Sequence, residues 1–337
     1  MSEQAQIEND LELFRAEWDD PSPYMTVQTS GSTGTPKQMR VLKERMRASA
    51  RLTCQFLGLK KGDTALLCMP LRYIAGKMVV VRALEWGLKL LVREPSGHPL
   101  AEPFDRNLDF AAMIPLQVYN SLQVPAERER LTRIRHLIIG GGAIDRELEA
   151  ALRPLPNRIY STYGMTETLS HVAMRQLNGP EASEYYEPFP SVRLSLSPDQ
   201  TLVIDAPLVC DGPLVTNDVV DLQPDGRFRV IGRKDNIINS GGVKIQIETV
   251  ETKLRPFLTA PFAITALPDP KFGEAIVLLT TAEMTAFPPE ALDRYERPKQ
   301  ILRVEAIPMT GSGKIDRAAC RRLAIETNEC QTSKSKR

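Results

Sequence analysis

Thr29-Ser30-Gly31-Ser32-Thr33-Gly34-Thr35-Pro36-Lys37 is the stretch on which the reading of this sequence turns. It comes directly after Tyr24-Met25-Thr26-Val27-Gln28, whose alternation and β-branched residues predict a strand. A loop of this composition can lay backbone N–H groups and hydroxyls around an anion. Glycine lets the backbone approach without a Cβ, and Lys37 adds positive charge. It is not the Walker arrangement, which sets glycine directly before the lysine, because Pro36 holds that place. Taken alone, such a run is more often a flexible polar surface loop than a phosphate site. Partner motifs further along the chain decide between the two.

The chain has 337 residues, enough for a large domain and a small one. A formal net charge of +1 removes the electrostatic argument for nucleic acid or an anionic membrane as partner. Apolar runs are far too short to span a bilayer, and the acidic N-terminus lacks the basic start and apolar centre of a secretion signal. The expectation is a cytoplasmic protein. Five cysteines, at 54, 68, 210, 320 and 330, are never spaced Cys-x-x-Cys. With only three histidines, this predicts reduced thiols and no zinc site.

Ile7, Leu11, Phe14 and Trp18 recur at helical spacing. Beyond the loop, residues 42–57 and 74–86 read as helices and 64–69, 88–92 and 134–139 as strands. This alternation predicts an α/β fold with a parallel sheet, whose ligands gather at the carboxyl ends of the strands. Residues 192–230 change to short strands broken by Pro-Asp and Asp-Gly turns. A helix at 248–254 with strands at 262–266, 275–281 and 300–304 predicts a small α+β unit, and a last helix is expected at 318–325.

Six further segments carry chemistry. Pro70-Leu71-Arg72-Tyr73-Ile74-Ala75-Gly76-Lys77 ends a predicted strand, and Gly140-Gly141-Gly142-Ala143-Ile144-Asp145 is a tight turn with Asp145 placed to cap a helix at 146–152. Ser161-Thr162-Tyr163-Gly164-Met165-Thr166-Glu167-Thr168 sets an aromatic ring, a hydroxyl and a carboxylate in close succession. Val215-Thr216-Asn217-Asp218, Gly232-Arg233-Lys234-Asp235 with Ser240-Gly241-Gly242, and Pro308 to Arg317 around Gly313-Lys314 complete the set. In this order, behind the opening loop, they resemble the motifs of the acyl-adenylate-forming (AMP-binding) synthetases. That superfamily includes acyl-CoA synthetases, peptide-synthetase adenylation domains and firefly luciferase.

The resemblance implies a large α/β domain with a β-rich section over 1–234 and a small mobile α+β domain over 235–326. Residues 327–337 form a polar tail expected to be disordered. Because the loop begins near residue 29, the fold is expected to be shortened at the N-terminus. The implied reaction uses ATP, Mg2+ and coenzyme A as co-substrate. Thr29, Ser30, Gly31, Ser32, Thr33, Gly34 and Lys37 would surround the departing pyrophosphate. Gly141, Gly142 and Ala143 would lie against adenine, Tyr163 would stack on it, and Gly164 would belong to the same nucleotide site. Thr166 would bind the α-phosphate and Glu167 the magnesium. Asp218 and Arg233 would hold the ribose, Asp235 would be the hinge, Gly241 and Gly242 would reach the thiol tunnel, and Lys314 would be the mobile catalytic lysine. Two departures stand out: Tyr73 replaces a histidine of the acyl pocket, and Asn217 stands where glycine is usual.

The segments 70–77 and 163–171 are similar to those of the 2-succinylbenzoate–CoA ligases of menaquinone biosynthesis, whose acid carries an aromatic ring and two carboxylates. Arg72, Lys77 and His171 are then candidates for the carboxylate that does not react, with Tyr73 in the pocket wall. Another aryl or fatty acid, a carrier protein as acceptor, and a catalytically inactive nucleotide-binding module stay open as alternatives, and so does a homodimer.

Overall fold

Ile7, Leu11, Phe14 and Trp18 are all buried and form the inner face of helix α1, Glu3–Asp19. The structure, a computed structural model, describes residues 3–28, 38–284, 291–310 and 315–335. Strands β1 (Tyr24–Gln28) and β2 (Gln38–Leu42) pair antiparallel, with Gln28 opposite Gln38. The residues flanking the opening loop are therefore partners, while 29–37 themselves lie outside the described residues. Helix α2 (Lys43–Leu57), strand β3 (Thr64–Leu67), helix α3 (Ile74–Trp86) and strand β4 (Lys89–Val92) come next, close to the expected bounds.

Strand β5 (Leu108–Met113), helices α4 (Pro115–Gln123) and α5 (Pro125–Thr132), strand β6 (Ile134–Ile139), helix α6 (Arg146–Leu152) and strands β7 (Arg158–Gly164), β8 (His171–Gln176) and β9 (Glu187–Pro188) complete a seven-stranded sheet. Its order is β4-β3-β5-β6-β7-β8-β9. The first five strands are parallel, as expected, and β8 and β9 are antiparallel. Strand β5 is an addition to the expected set. Leu-Asp-Phe-Ala-Ala-Met contains no β-branched residue, and burial between two parallel neighbours, with Phe110 and Ala111 fully enclosed, makes it a strand.

Strands β10 (Arg193–Leu196), β11 (Thr201–Asp205), β12 (Leu214–Leu222) and β13 (Phe228–Arg233) form a four-stranded sheet in that order. The chain groups into two units. One holds Met1–Ser195, Val203–Leu214 and Leu222–Arg229; the other holds Leu196–Leu202, Val215–Asp221 and Val230–Arg337. The boundary drawn after residue 234 from the sequence thus differs from this grouping. Residues 196–202, 215–221 and 230–234 group with the C-terminal part of the chain.

The second unit contains β14 (Ile237–Ser240), β15 (Val243–Gln246), α7 (Ile247–Leu254), β16 (Phe262–Asp269), β17 (Gly273–Thr280), β18 (Gln300–Arg303) and α8 (Arg317–Ser335). Side chains on β16 and β17 alternate between two cores. Ile264, Ala266, Ile276 and Leu278 pack with Val250 and Leu254 of α7, while Ala263, Leu267, Val277 and Leu279 pack with Cys320 and Ala324 of α8. Arg317 forks onto the buried Glu251 at 2.5 and 2.8 Å, and Glu251 also accepts the Ile264 N–H at 2.8 Å. This fixes the start of α8. The helix continues to Ser335 where a disordered tail was expected, since neither glycine nor proline occurs after Gly313 to stop it.

Among the described residues, no helix is long and apolar enough to cross a membrane. Cys54, Cys68, Cys210 and Cys320 are free and buried. Burial pushes the Cys54 and Cys320 thiols up to about 11 and Cys68 up to about 12. His136 on β6 is 4% exposed, and its Nδ1 has no partner. Burial first, then Arg135 and Arg158, push its pKa down to about 4 from 6.5. Because the folded value is the lower one, the unfolded chain takes up the proton first. Stability is complete above about 6.5 and is lost as pH falls towards about 4. Denaturant titrations at pH 7 and pH 5 should differ by about 2 kcal/mol more for the wild type than for His136→Leu. Equal differences would show that the ring is not the sensitive group.

Candidate active site

From β3 the chain moves outward to β4, then crosses back to β5 and proceeds through β6 to β7. The direction reverses between β3 and β5, the place where open α/β sheets bind ligands beyond the carboxyl ends of their strands. The segments that emerge there are those singled out by sequence. Pro70 to Tyr73 comes after β3, the Gly140–Gly142 turn after β6, and Met165 to Glu167 after β7. The Gly140 N–H donates to Met113 O at 3.1 Å, tying the turn to the end of β5. Asp145 accepts the Leu148 N–H at 2.8 Å, capping α6 as expected.

Tyr163 is half-buried, with its ring edge-on to Phe228 at 4.9 Å and tilted against Tyr186 at 5.9 Å. Tyr186 is held in turn by a 2.7 Å hydrogen bond between its hydroxyl and Ser161 Oγ. At Gly164 the β7–β8 register shifts, and a Cβ here would meet Ser170 O at 2.2 Å. Only glycine fits. Thr166–Thr168 then forms a single 3-10 turn that leaves Thr166 half-buried and Glu167 exposed to solvent. A lone accessible carboxylate beside a hydroxyl suits magnesium, which keeps waters and shares its shell with substrate phosphates. Among the described residues no three His, Cys, Asp or Glu side chains are gathered where they could hold a metal ion.

In the second unit, Arg233 lies 3.7 Å from Asp218 through Nη1 and 3.1 Å from Asp235 through Nη2. Asn217 also donates to Asp235 at 3.2 Å. The structure thus brings together the residues expected to serve the ribose and the hinge, and the asparagine that departs from the family's glycine joins them. Gly241 and Gly242 form the two-residue turn of the β14–β15 hairpin, with φ of 60° and 83°. Both angles favour glycine. Lys314 lies outside the described residues. On either side of it Met309 and Ile315 form a bridge, and the Asp316 N–H donates to Pro308 O at 2.9 Å.

The family described as AMP-binding enzyme matches residues 2–207. The chain belongs to that family. Among curated relatives, the 2-succinylbenzoate–CoA ligase of Listeria monocytogenes is 26% identical over 335 residues, covering 89% of this chain and 70% of the relative. An acyl-CoA synthetase (AMP-forming)/AMP-acid ligase II-like protein from Dyadobacter fermentans has a solved structure 34% identical to this AMP-binding enzyme, with a TM-score of 0.64 over 94% of this chain and 93% of that one. The O-succinylbenzoate coenzyme A synthetase of Bacillus subtilis, solved with ATP and magnesium, shares the fold at 20% identity and a TM-score of 0.72, over 87% of this chain and 68% of its own.

The candidates for a second acid carboxylate in this AMP-binding enzyme have separate environments. Arg72 is exposed and lies over the Tyr73 ring at 4.8 Å. Lys77 donates to Thr26 O at 3.1 Å and sits 3.6 Å from Glu17, so it fastens α1 and β1 to α3. His171 is buried, with Nε2 3.0 Å from Thr53 Oγ1 and Nδ1 3.2 Å from Ser170 Oγ. Burial and the nearby Arg82 hold its pKa well below the usual value. A neutral ring can donate or accept a hydrogen bond, but it supplies no charge.

Arg82 is a residue that sequence reasoning overlooks. It is 2% exposed, donates from Nη2 to Ser170 Oγ at 2.7 Å, and leaves Nε without a partner. Burial lowers its pKa to about 10, which still leaves it charged at neutral pH, and no carboxylate of the described residues pairs with it. An unpaired buried guanidinium is costly unless something else brings the anion. A signal is present in the sequence: one charge interrupts the apolar run Met78-Val79-Val80-Val81-Arg82-Ala83-Leu84.

Proposed function

We propose that this AMP-binding enzyme is a cytoplasmic acid–thiol ligase that converts 2-succinylbenzoate to its coenzyme A thioester, a step of menaquinone biosynthesis. A carboxylate oxygen attacks the α-phosphorus of ATP and pyrophosphate leaves. The sulfur of coenzyme A then attacks the acyl carbon of the acyl-adenylate, and AMP leaves with the bonding electrons. Two anions must meet in the first step, so positioning and charge neutralisation supply most of the acceleration. Ser30, Ser32, Thr33 and Lys37 receive the pyrophosphate, Thr166 and Lys314 the α-phosphate, and Lys314 also the attacking carboxylate. Magnesium, when bound, supplies positive charge on the phosphates, and Glu167 holds it. Tyr163 and the Gly141-to-Ala143 turn take the adenine, Asp218 and Arg233 the ribose. Asp235 is the pivot that lets Gly241 and Gly242 reach the thiol.

The observation that carries the choice of a diacid is the buried Arg82, whose Nε is unpartnered and which faces no carboxylate of the described residues. The second carboxylate of 2-succinylbenzoate is the missing anion, and the family membership and the ligases this chain resembles point the same way. Acid-dependent exchange of pyrophosphate into ATP, run over aromatic, aliphatic and dicarboxylic acids, tests this. Strong exchange with 2-succinylbenzoate, then thioester formation on coenzyme A, is the expected result. Exchange with another acid alone, or transfer only to a carrier protein, would refute the substrate assignment. No exchange with any acid would refute the ligase.

A further inference from the structure

Beside Glu167 the chain adopts a backbone conformation that its residue type disfavours. Leu169 has φ 64° and ψ −35°, and the Ser170 N–H donates across it to Thr168 O at 2.7 Å. This is a γ-turn of the positive-φ kind, rare and strained for any residue but glycine. Such a turn persists only where its surroundings over-determine it. Thr168 does this. It is fully buried; its hydroxyl accepts the Met165 N–H at 2.9 Å and lies 2.6 Å from Ser170 O, with Met165 O at 3.0 Å as the weaker acceptor. One hydroxyl therefore joins the residue before the 3-10 turn to the last residue of the γ-turn. Between those two points sit Thr166 and Glu167. Among the described residues none hydrogen-bonds the Glu167 carboxylate, so what fixes its side chain from the protein side is the backbone knot, which sets where its Cα–Cβ bond points.

We propose that Thr168 is a positioning residue, whose buried hydroxyl clamps the turn and aims the Glu167 carboxylate at the cation that accompanies ATP. The inference rests on the proposed role of Glu167 as the magnesium residue. Ser170 extends the clamp: its carbonyl accepts from Thr168 and its Oγ from Arg82, so the cation turn and the buried arginine share one residue. Valine in place of Thr168 keeps the shape and removes both hydrogen bonds, whereas serine keeps the hydroxyl.

The test measures calorimetric ATP binding as magnesium is varied, which needs no acid, for the wild type, Thr168→Val, Thr168→Ser and Glu167→Gln. Groups that orient a metal ligand are worth about tenfold or more in metal affinity. Thr168→Val should raise the magnesium concentration for half-maximal binding by about tenfold. Thr168→Ser should return it close to the wild-type value. If Glu167→Gln shifts the magnesium dependence and Thr168→Val does not, the clamp is overturned while the reading of Glu167 stands. If Glu167→Gln shifts nothing, that reading fails and takes the clamp with it. Should Thr168→Val not fold, the comparison is made between Thr168→Ser and Thr168→Ala, and equal magnesium dependence in the two overturns the proposal.

Discussion

Lys314→Ala is expected to slow acyl-adenylate formation by about a thousandfold while ATP still binds, since one positive charge poised between two approaching anions is of the kind whose removal costs about 10²–10³ in rate. Charge held for the transition state affects turnover more than ground-state binding. On either side of the lysine Met309 and Ile315 form a bridge, and the Glu251–Arg317 fork secures the start of α8 just beyond. Pyrophosphate exchange at wild-type rate in the alanine variant would remove Lys314 from the mechanism.

Arg82→Met should raise the KM for the acid by about a hundredfold, since breaking a buried charge pair costs about 2–5 kcal/mol. The same change should leave the melting temperature unchanged or higher. Without ligand the guanidinium has no anion among the described residues, and replacing a buried charge by an apolar side chain of similar length is neutral or stabilising. The two readouts therefore move independently. A large fall in melting temperature with an unaltered KM would mean that Arg82 supports the core through Ser170 and has no dealings with substrate.

The order of motifs is legible in the sequence because each depends on local chemistry: glycines where backbone must approach closely, and an aromatic, a hydroxyl and a carboxylate in succession at 163–167. Helix α3 and strand β6 are legible from pattern, since an apolar helix or strand with clear ends needs no partner to be recognised. Strand β5 is not, because alanines and a phenylalanine become a strand only between two other strands. Arg82 is written in the sequence, yet a lone arginine in an apolar run reads as a stray charge until its surroundings are seen. His171 draws too much weight from sequence: one imidazole says nothing about burial, and here burial leaves it neutral. The division into units escapes a linear reading because segments far apart in the sequence group together. The γ-turn at Leu169 has no signal at all, since nothing about leucine announces a positive φ.

An enzyme that makes a mixed anhydride of an acid and AMP carries a strong electrophile and then delivers it to a sulfur. Its own sulfur is the nearest wrong target. The four cysteines at 54, 68, 210 and 320 are enclosed, and burial raises their pKa values, so they are kept as thiols and not as the nucleophilic thiolates. The Cys210 sulfur lies 3.5 Å from the backbone carbonyl of Glu167, close enough to the chemistry for this to matter. These four positions are thereby spared acylation, and the visiting cofactor's thiol meets no competitor from them.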